Sequence, residues 1–264
     1  MITLKYNTIS LKKGDTFTIE ANYTKDWYDS DEILYKSSDE SIVTVNTSGT
    51  IKGIKNGKAT ITAYDEQGTK SATCKVAVGS KSEVTVKTKT VDETYDALND
   101  SGEHPKMHFI IKAKKGTYKN YIIIPSNTTL DLTGSKVKPP YFTHCLLSFG
   151  DSNNKKYKDG SNMTLIGGTF DGGTSSYIPN LCTFAHVKNV TIQKCYFKGF
   201  RYGCGSNHLH KKDHFKGMKF IGNTFVGASK YCICLYGYRN ATIRGNKMKN
   251  CGSLVQNQNS TYYK

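Results

Sequence analysis

A polar stretch at residues 201–214, RYGCGSNHLHKKDH, holds the most concentrated set of side chains able to do chemistry. It contains three of the seven histidines, an arginine, two lysines and an aspartate. Imidazole titrates near neutral pH, so histidines beside a carboxylate suit proton transfer or metal binding. We take as candidate catalytic residues Arg201, His208, His210, Asp213 and, from an earlier stretch, Asp171. A solvated turn with stacked imidazoles is the alternative for the same residues.

The residues around this stretch are candidate contacts to a bound partner. Lysine neutralises anionic groups, while histidine and tyrosine combine a flat ring with a polar atom. We take as candidate substrate contacts His186, Tyr202, Lys211, Lys212, His214, Tyr236 and Tyr238. His186 and His214 each lie three residues before a repeat described below. This spacing predicts that the two histidines lie on neighbouring coils, about 4.8 Å apart. We expect no resident metal and no cofactor. No Cys-x-x-Cys pair occurs, which argues against a zinc ribbon or redox motif, and the cluster of aspartates that would hold calcium is missing.

Charge is distributed unevenly along the chain. Of 37 basic and 21 acidic residues, residues 1–80 hold 10 of each, so residues 81–264 carry the whole net charge of +16. No glutamate follows Glu103, and the carboxylates beyond it are Asp131, Asp151, Asp159, Asp171 and Asp213. Such an excess of lysine and arginine favours an anionic partner, and nucleic acid is the first class to consider.

Several classes of protein are excluded by pattern and composition. No helix-turn-helix, zinc-finger or RNA-binding pattern occurs, so we expect no nucleic acid partner. The chain is 37% hydrophobic, which is too apolar for a disordered tail. No run approaches the roughly 18 apolar residues of a membrane-spanning helix, so we expect no membrane span.

Residues 1–79 have the pattern of short strands separated by turns. Ile42–Val45 and Ala59–Ala63 are rich in β-formers, and pairs such as Asn56-Gly57 supply turns. Short strands without a helical period predict a small β-sandwich. The stretches YKSSDESIVTV, GTIKG and GKATIT, at 35–45, 49–53 and 57–62, resemble the bacterial Ig-like domain of group 2. The resemblance implies a spacer or adhesive unit in a cell-surface, secreted or phage-tail protein.

Residues 127–251 contain an internal repeat. Four twelve-residue stretches align without gaps, at 162–173, 189–200, 217–228 and 240–251, and a weaker fifth lies at 127–138. The fourth position is always Leu, Ile or Phe, and the ninth is, in chain order, Ser135, Phe170, Phe197, Phe225 and Met248. Asn223 and Asn246 share the seventh position, which predicts an amide ladder between neighbouring coils. This pattern predicts a parallel β-solenoid.

The stretch NVTIQKCYF at 189–197 resembles right-handed parallel β-helix proteins, the superfamily of pectate lyases, polygalacturonases and phage tailspikes. IPSNTTL at 124–130 is similar to the entry coil of that superfamily, and GGTFDG at 167–172 to a coil of its polygalacturonase-like members. The predicted fold is therefore all-β, with a small Ig-like β-sandwich at residues 1–80 followed by a right-handed parallel β-helix (solenoid) at 81–264.

The resemblance leaves the enzymatic question open. A polygalacturonase-like mechanism would require Asn-x-Asp, Asp-Asp, Gly-His-Gly and Arg-x-Lys elements, and none of them is present. A metal-independent polysaccharide lyase that uses Lys, Arg or His stays open. For the eight cysteines, small inward positions are the prediction, and disulfides between coils are the alternative in an exported protein.

The predicted function is an extracellular or cell-surface β-helix protein that binds an anionic polysaccharide or cell-wall glycan, with cleavage left open. The alternative is a non-catalytic adhesin or a phage-tail, tailspike-like protein of the virion that binds a surface polyanion. Met1 is followed directly by strand-like sequence, without a secretory signal. Because the chain ends soon after a repeat strand, we expect further coils or a partner chain at its C-terminal end.

Overall fold

The structure is a computed structural model that describes residues 1–24, 32–138, 145–150, 160–173, 180–184, 187–206, 215–236 and 238–258. Within these ranges, residues 180–184, 205, 206, 215, 234–236, 238, 239 and 255–258 are described by their backbone. The chain forms two compact units, one of residues 1–86 with 106–108 and the other of residues 87–105 with 109–264. The boundary expected at residue 80 stays a prediction.

The first unit consists of short strands, as its alternating sequence predicts. They are β1 (Ile2–Leu4), β2 (Thr8–Lys12), β3 (Thr16–Thr18), β4 (Ala21–Tyr23), β5 (Ile33–Ser37), β6 (Val43–Val45), β7 (Thr50–Gly53), β8 (Gly57–Asp65), β9 (Ser71–Gly79) and β10 (Glu83–Lys87). One sheet has the order β10-β2-β9-β8-β5, in which β2 and β9 are parallel and the other pairs antiparallel. A second sheet has the order β3-β7-β6, and β1 pairs with β4.

Period-two alternation in these strands makes the core of the first unit. Side chains alternate between the two faces of a strand, so every second residue of β8 and β9 is buried. Ile9, Leu11, Ile51, Ile61 and Cys74 are fully buried. This burial agrees with a small β-sandwich and with the predicted all-β class, which is confirmed.

The second unit contains one helix, among the residues described, and a succession of parallel strands. They are α1 (Val91–Glu103), β11 (His108–Lys112), β12 (Thr117–Tyr118), β13 (Ile122–Ile124), β14 (Thr128–Asp131), β15 (Lys136–Val137), β16 (Leu147–Phe149), β17 (Gly160–Ile166), β18 (Thr169–Asp171), β19 (Asn180–Phe184), β20 (Val187–Gln193), β21 (Tyr196–Ser206), β22 (Phe215–Lys216), β23 (Lys219–Ile221), β24 (Thr224–Tyr236), β25 (Tyr238–Arg239), β26 (Thr242–Arg244), β27 (Lys247–Lys249) and β28 (Ser253–Gln258).

These strands stack into three parallel sheets, so the solenoid prediction is confirmed. Sheet I contains β11, β14, β17 and β20, then β22 with β23 and β25 with β26. Sheet II contains β12, β15, β18, the first parts of β21 and β24, and β27. Sheet III contains β13, β16, β19, the last parts of β21 and β24, and β28. Each coil thus adds one strand to each sheet.

Helix α1 was not predicted, and it covers the first coil of the solenoid. Thr90 caps its N-terminus by accepting a hydrogen bond from the Glu93 N–H, at 3.0 Å. Four of its buried residues, Thr94, Ala97, Leu98 and Ser101, have the helical spacing i, i+3, i+4, i+7, and Asp100 is buried beside them. Thr94 shares a hydrogen bond with the Tyr118 hydroxyl and Ser101 shares one with Thr128. A solenoid needs its open end covered, and this helix does so at one end.

The first position of each repeat forms a left-handed corner in sheet I. The residues there and their φ angles are Asn127 (54°), Asn162 (59°), Asn189 (55°), Gly217 (70°) and Asn240 (56°). Asparagine and glycine tolerate this conformation better than other residues. The amides of Asn127, Asn162 and Asn189 also bond to one another at 2.9 and 3.1 Å, an outer ladder that the sequence analysis missed.

Phenylalanines at the ninth position stack inside the solenoid as predicted. Phe170, Phe197 and Phe225 are fully buried, with successive ring centroids 5.1 Å apart. The fifth repeat was aligned wrongly, because Val137 rather than Ser135 pairs with Phe170. Two extra residues lengthen the corner between β14 and β15, which shifts the inward position from 135 to 137.

The predicted amide ladder between Asn223 and Asn246 is confirmed. The Asn223 Nδ2 donates to Asn246 Oδ1 at 2.9 Å, and its Oδ1 accepts from the Cys195 N–H at 3.0 Å. Asn223 is fully buried, so these bonds satisfy polar atoms that have no access to water. The ladder therefore fixes the spacing of three successive coils.

Candidate functional site

The outward side of sheet II is a basic strand surface among the described residues. Residues on either side of the inward Val137, Phe170, Phe197, Phe225 and Met248 point outward, since side chains alternate along a strand. Strand pairing puts Lys136, Tyr196 and Lys247 in one column, and Asp171, Lys198 and Lys249 in the next. We call these six residues the lysine face.

Asp171, a predicted catalytic residue, is the buried member of the lysine face. Its Oδ2 accepts from the Lys136 Nζ at 3.0 Å and the Lys198 Nζ at 3.1 Å, and its Oδ1 accepts from the Gly173 N–H at 3.1 Å. Burial is the largest single effect and raises its pKa, but the hydrogen bonds from Lys136, Gly173 and Lys198 together outweigh it. The pKa of Asp171 is therefore lower than usual, and the carboxylate is ionised at neutral pH. This arrangement favours holding two lysines in place over proton transfer.

Arg201 and Tyr202, two other predicted site residues, lie together on β21 where it enters sheet III. The Arg201 Cζ lies 5.4 Å from the centroid of the Tyr202 ring, a cation–π contact. The Tyr202 ring stacks on Tyr231 of the next coil, with centroids 6.2 Å apart and planes at 25°. Arg201 and Tyr231 both lie against the Tyr202 ring. The geometry therefore favours a role for this ring in holding Arg201 in position. A guanidinium has several N–H donors in a planar fork and no acceptor atom, so Arg201 suits an anion contact.

Most of the predicted histidine cluster lies outside the described residues. The residues concerned are His186, His208, His210, Lys211, Lys212, Asp213 and His214. The side chains of Tyr236 and Tyr238 also lie outside them. The roles assigned to these nine residues stay predictions.

Five residues of the lysine face were not among the predicted site residues: Lys136, Tyr196, Lys198, Lys247 and Lys249. A usable signal was present, because positions eight and ten of the twelve-residue repeat flank the inward ninth position. In the repeat at 189–200 those positions are Tyr and Lys, and in the repeat at 240–251 both are Lys. Reading outward positions in parallel with the inward ones would have found the lysine face.

The described cysteines of the solenoid interior behave as small apolar residues. Cys195, Cys204 and Cys232 are buried, and no disulfide joins the described cysteines. Burial raises the pKa of Cys195 and of Cys232, which disfavours a reactive thiolate. Across the described ranges, no three His, Cys, Asp or Glu side chains are grouped as a metal site would require.

Comparison with known proteins identifies the first unit. Residues 1–76 match the family model of the bacterial Ig-like domain (group 2). The Ig-like part of the prediction is therefore confirmed. In the described part of the chain, no helix has the length and apolar character needed to cross a membrane.

Two curated relatives share this region of the chain. A 3-O-alpha-D-galactosyl-alpha-L-arabinofuranosidase of Bifidobacterium longum subsp. longum is 37% identical over 75 residues, or 28% of this chain. An alpha-L-arabinofuranosidase of the same subspecies is 39% identical over 72 residues, or 27% of this chain. The matched region spans 7% of the length of each relative, and it is the Ig-like region.

Two solved structures are also similar to the chain. Domains 4 and 5 of the S-layer protein SbsC match 30% of this chain and 45% of theirs, at 23% identity and a TM-score of 0.23. The family 28 exopolygalacturonase of Yersinia enterocolitica matches 93% of this chain and 69% of its own, at 13% identity and a TM-score of 0.38.

Proposed function

We propose that this chain is an extracellular or cell-surface protein whose β-helix binds an anionic polysaccharide along the lysine face. One observation carries the proposal. The lysine face presents four lysines and an exposed tyrosine, while its one carboxylate, Asp171, is already bonded to two of those lysines. The cations of this face therefore retain a net attraction for an external anion.

The small energy of each contact favours a polymer over a single sugar. An exposed ion pair contributes about 0.2–1 kcal/mol, and salt screens it. Several lysines must act together to give useful affinity, so the partner must carry charges at many points. Parallel strands repeat every 4.8 Å or so along the solenoid, which distributes these lysines along one direction. A linear polymer with regularly spaced carboxylates or sulfates meets that requirement.

The Ig-like unit supports the proposed extracellular location, and it does not bear on the ligand or on any reaction. The two relatives are named for acting on arabinofuranosides, and what they share with this chain is the Ig-like region. Such a unit in glycan-processing proteins supports an extracellular location beside a polysaccharide. The reaction of those relatives is not transferred to this chain.

Binding without cleavage is the role that the described residues favour. Hydrolysis by two carboxylates requires a pair roughly 5–9.5 Å apart around the bond. The described carboxylates beyond Glu103 are Asp131 and Asp171. Asp131 accepts from the Thr133 N–H in its own turn, and Asp171 is bonded to two lysines. We therefore propose an adhesive role for the lysine face.

The test is the affinity of the full chain for polygalacturonate when two lysines are neutralised. Lys247 and Lys249 are exposed and lie apart from the Asp171 ion pairs. The double variant Lys247→Gln/Lys249→Gln should bind about 2- to 30-fold more weakly, if each lysine contributes about 0.2–1 kcal/mol. The matched control, Lys52→Gln/Lys58→Gln, removes the same charge from exposed positions of the Ig-like unit. Equal weakening by both variants, or no binding by the wild type, would overturn the proposal.

A further inference from the structure

A groove of about 450 Å³ crosses the corners of three successive coils between sheets I and II. It is formed by residues 133–136 of the first coil, 167–169 of the second, and Lys194 with Tyr196 of the third. Its volume lies within the roughly 300–1,000 Å³ of small-molecule sites. We call it the corner groove.

The corner groove exists because the middle coil has almost no side chains there. Gly167 and Gly168 have φ angles of 66° and 88°, which favour glycine. A Cβ on Gly167 would lie 2.6 Å from the Thr133 Oγ1 and 2.9 Å from the Thr133 Cα, so no larger residue fits without displacing the first coil. The two extra residues of the first corner form one wall, and Lys194 with Tyr196 form the other. The glycines therefore let Thr133 of the first coil pack closely against the middle coil, and they add no side chain to the groove between the two walls.

The walls of the corner groove carry an aromatic ring and several cations. Tyr196 is 39% exposed, which is high for a residue of its size. Lys194 is exposed and makes no ion pair within the described part of the chain. The Lys136 Nζ is held by Asp171 at 3.0 Å. A Cβ on Gly134 would lie 3.3 Å from the side-chain carbons of Lys115, so a third lysine passes beside Gly134 of the first wall.

This combination of groups matches an acidic sugar. The face of a tyrosine ring accepts the apolar face of a sugar, and its hydroxyl remains available for hydrogen bonds. Lysine ammonium groups bond to carboxylate or sulfate oxygens through charge-assisted hydrogen bonds. A neutral sugar would use the ring but leave the Lys194 ammonium without an anionic partner.

We propose that the corner groove binds one sugar residue that carries a carboxylate or sulfate group, with Tyr196 against the ring and Lys194 on the anionic group. Asp171 is a positioning residue for this site, because it fixes Lys136 at the opposite wall. The inference rests on the proposed function for the class of ligand, and it adds a defined site beside the lysine face. The lysine face attracts the polymer, and the corner groove selects the position of one of its residues.

The test is a titration of the full chain with three short probes: a galacturonate trimer, a sulfated galactose disaccharide and a neutral galactose trimer. We expect the wild type to bind at least one acidic probe and at least fivefold more tightly than the neutral one. Lys194→Asn keeps the left-handed backbone (φ 58°) but removes the charge, and Tyr196→Ala removes the ring. Each should weaken binding of the acidic probe at least fivefold, whereas Tyr196→Phe should stay within about threefold of the wild type.

Matched controls separate the corner groove from general surface effects. Lys219→Asn removes an exposed lysine of sheet I, and Tyr121→Ala removes a tyrosine that is 51% exposed. Both should leave affinity within twofold of the wild type. The corner-groove proposal is overturned if Lys194→Asn and Tyr196→Ala bind like these controls, if the neutral probe binds equally well, or if no acidic probe binds. Polygalacturonate binding that still depends on Lys247 and Lys249 would then leave the proposed function standing alone.

Discussion

Replacing Asp171 by Asn removes the one negative charge of the lysine face while nearly preserving the shape of the side chain. Asp171 Oδ2 is bonded to Lys136 and Lys198 at 3.0 and 3.1 Å, so the two ammonium groups are at most about 6 Å apart. Without the carboxylate, two like charges face each other across a neutral amide. We expect the second unit to lose stability for this reason.

The size of the loss follows from charge separation and exposure. Two unit charges 6 Å apart repel by about 0.7 kcal/mol in water and by about 3 kcal/mol at an effective dielectric constant of 20. Both lysine side chains are about 40% exposed, so solvent screening puts the repulsion toward the lower value. The wild type contains the same repulsion and offsets it through Asp171, so the substitution costs the two partly exposed ion pairs, about 0.4–2 kcal/mol in total. For a unit of this size, that lowers Tm by about 1–8 °C.

Calorimetry of the full chain at pH 7 measures this shift. Asp131→Asn is the matched control, because Asp131 bonds to the Thr133 N–H and an amide oxygen can replace it there. The pKa of Asp171 is lowered in the folded state, so its stabilising effect is present above about pH 4 and is lost as the pH falls through that lowered pKa. The gap between wild type and Asp171→Asn should therefore close in acid. Equal Tm values for the two variants at pH 7, or a gap that widens in acid, would refute the reasoning.

Three further predictions concern the elements that position the site, each measured as the free energy of unfolding in urea. Thr90→Ala removes the cap of α1 and should cost about 0.5–2 kcal/mol, whereas Thr90→Ser should cost much less; equal costs would contradict the cap. Asn223→Ala removes the side-chain partner of the buried Cys195 N–H and of the Ile192 carbonyl, and should cost about 2–4 kcal/mol; a cost under 1 kcal/mol would contradict the ladder. Phe197→Ala opens a cavity between two stacked rings and should cost about 3–5 kcal/mol, with Phe197→Leu cheaper; a loss below 1 kcal/mol would contradict the ring stack.

The interior of the solenoid could be predicted from the sequence because its pattern repeats. Phe170, Phe197 and Phe225 recur at one repeat position, and stacked coils must superimpose equivalent residues. The ladder of Asn223 and Asn246 followed from the same alignment. One coil departs from the pattern by two residues, and no local signal marks where such an insertion lies. The inward residue of that coil, Val137, was therefore missed.

The surface of the solenoid was predicted less well, for physical reasons. Outward positions face water, and water places few constraints on residue type, so Lys198 and Lys249 recur only loosely. The corner groove depends on side chains that are missing at Gly167 and Gly168, and on the bulkier corners of the coils on either side. Such a cavity is a property of three stacked coils and cannot be read from any one of them. Helix α1 did have a local signal, the Thr90-x-x-Glu93 capping box, which was overlooked.

The measurement that tests the central claim most directly compares binding of the full chain to polygalacturonate and to its fully methyl-esterified form. The two polymers share a backbone and differ in their carboxylate charges. We predict binding to the charged polymer alone. The affinity should fall steeply as salt rises from 50 to 300 mM, because the Debye length shortens from about 14 to 6 Å. Equal affinity for both polymers, or affinity that salt leaves unchanged, would contradict a lysine face that binds an anionic polysaccharide.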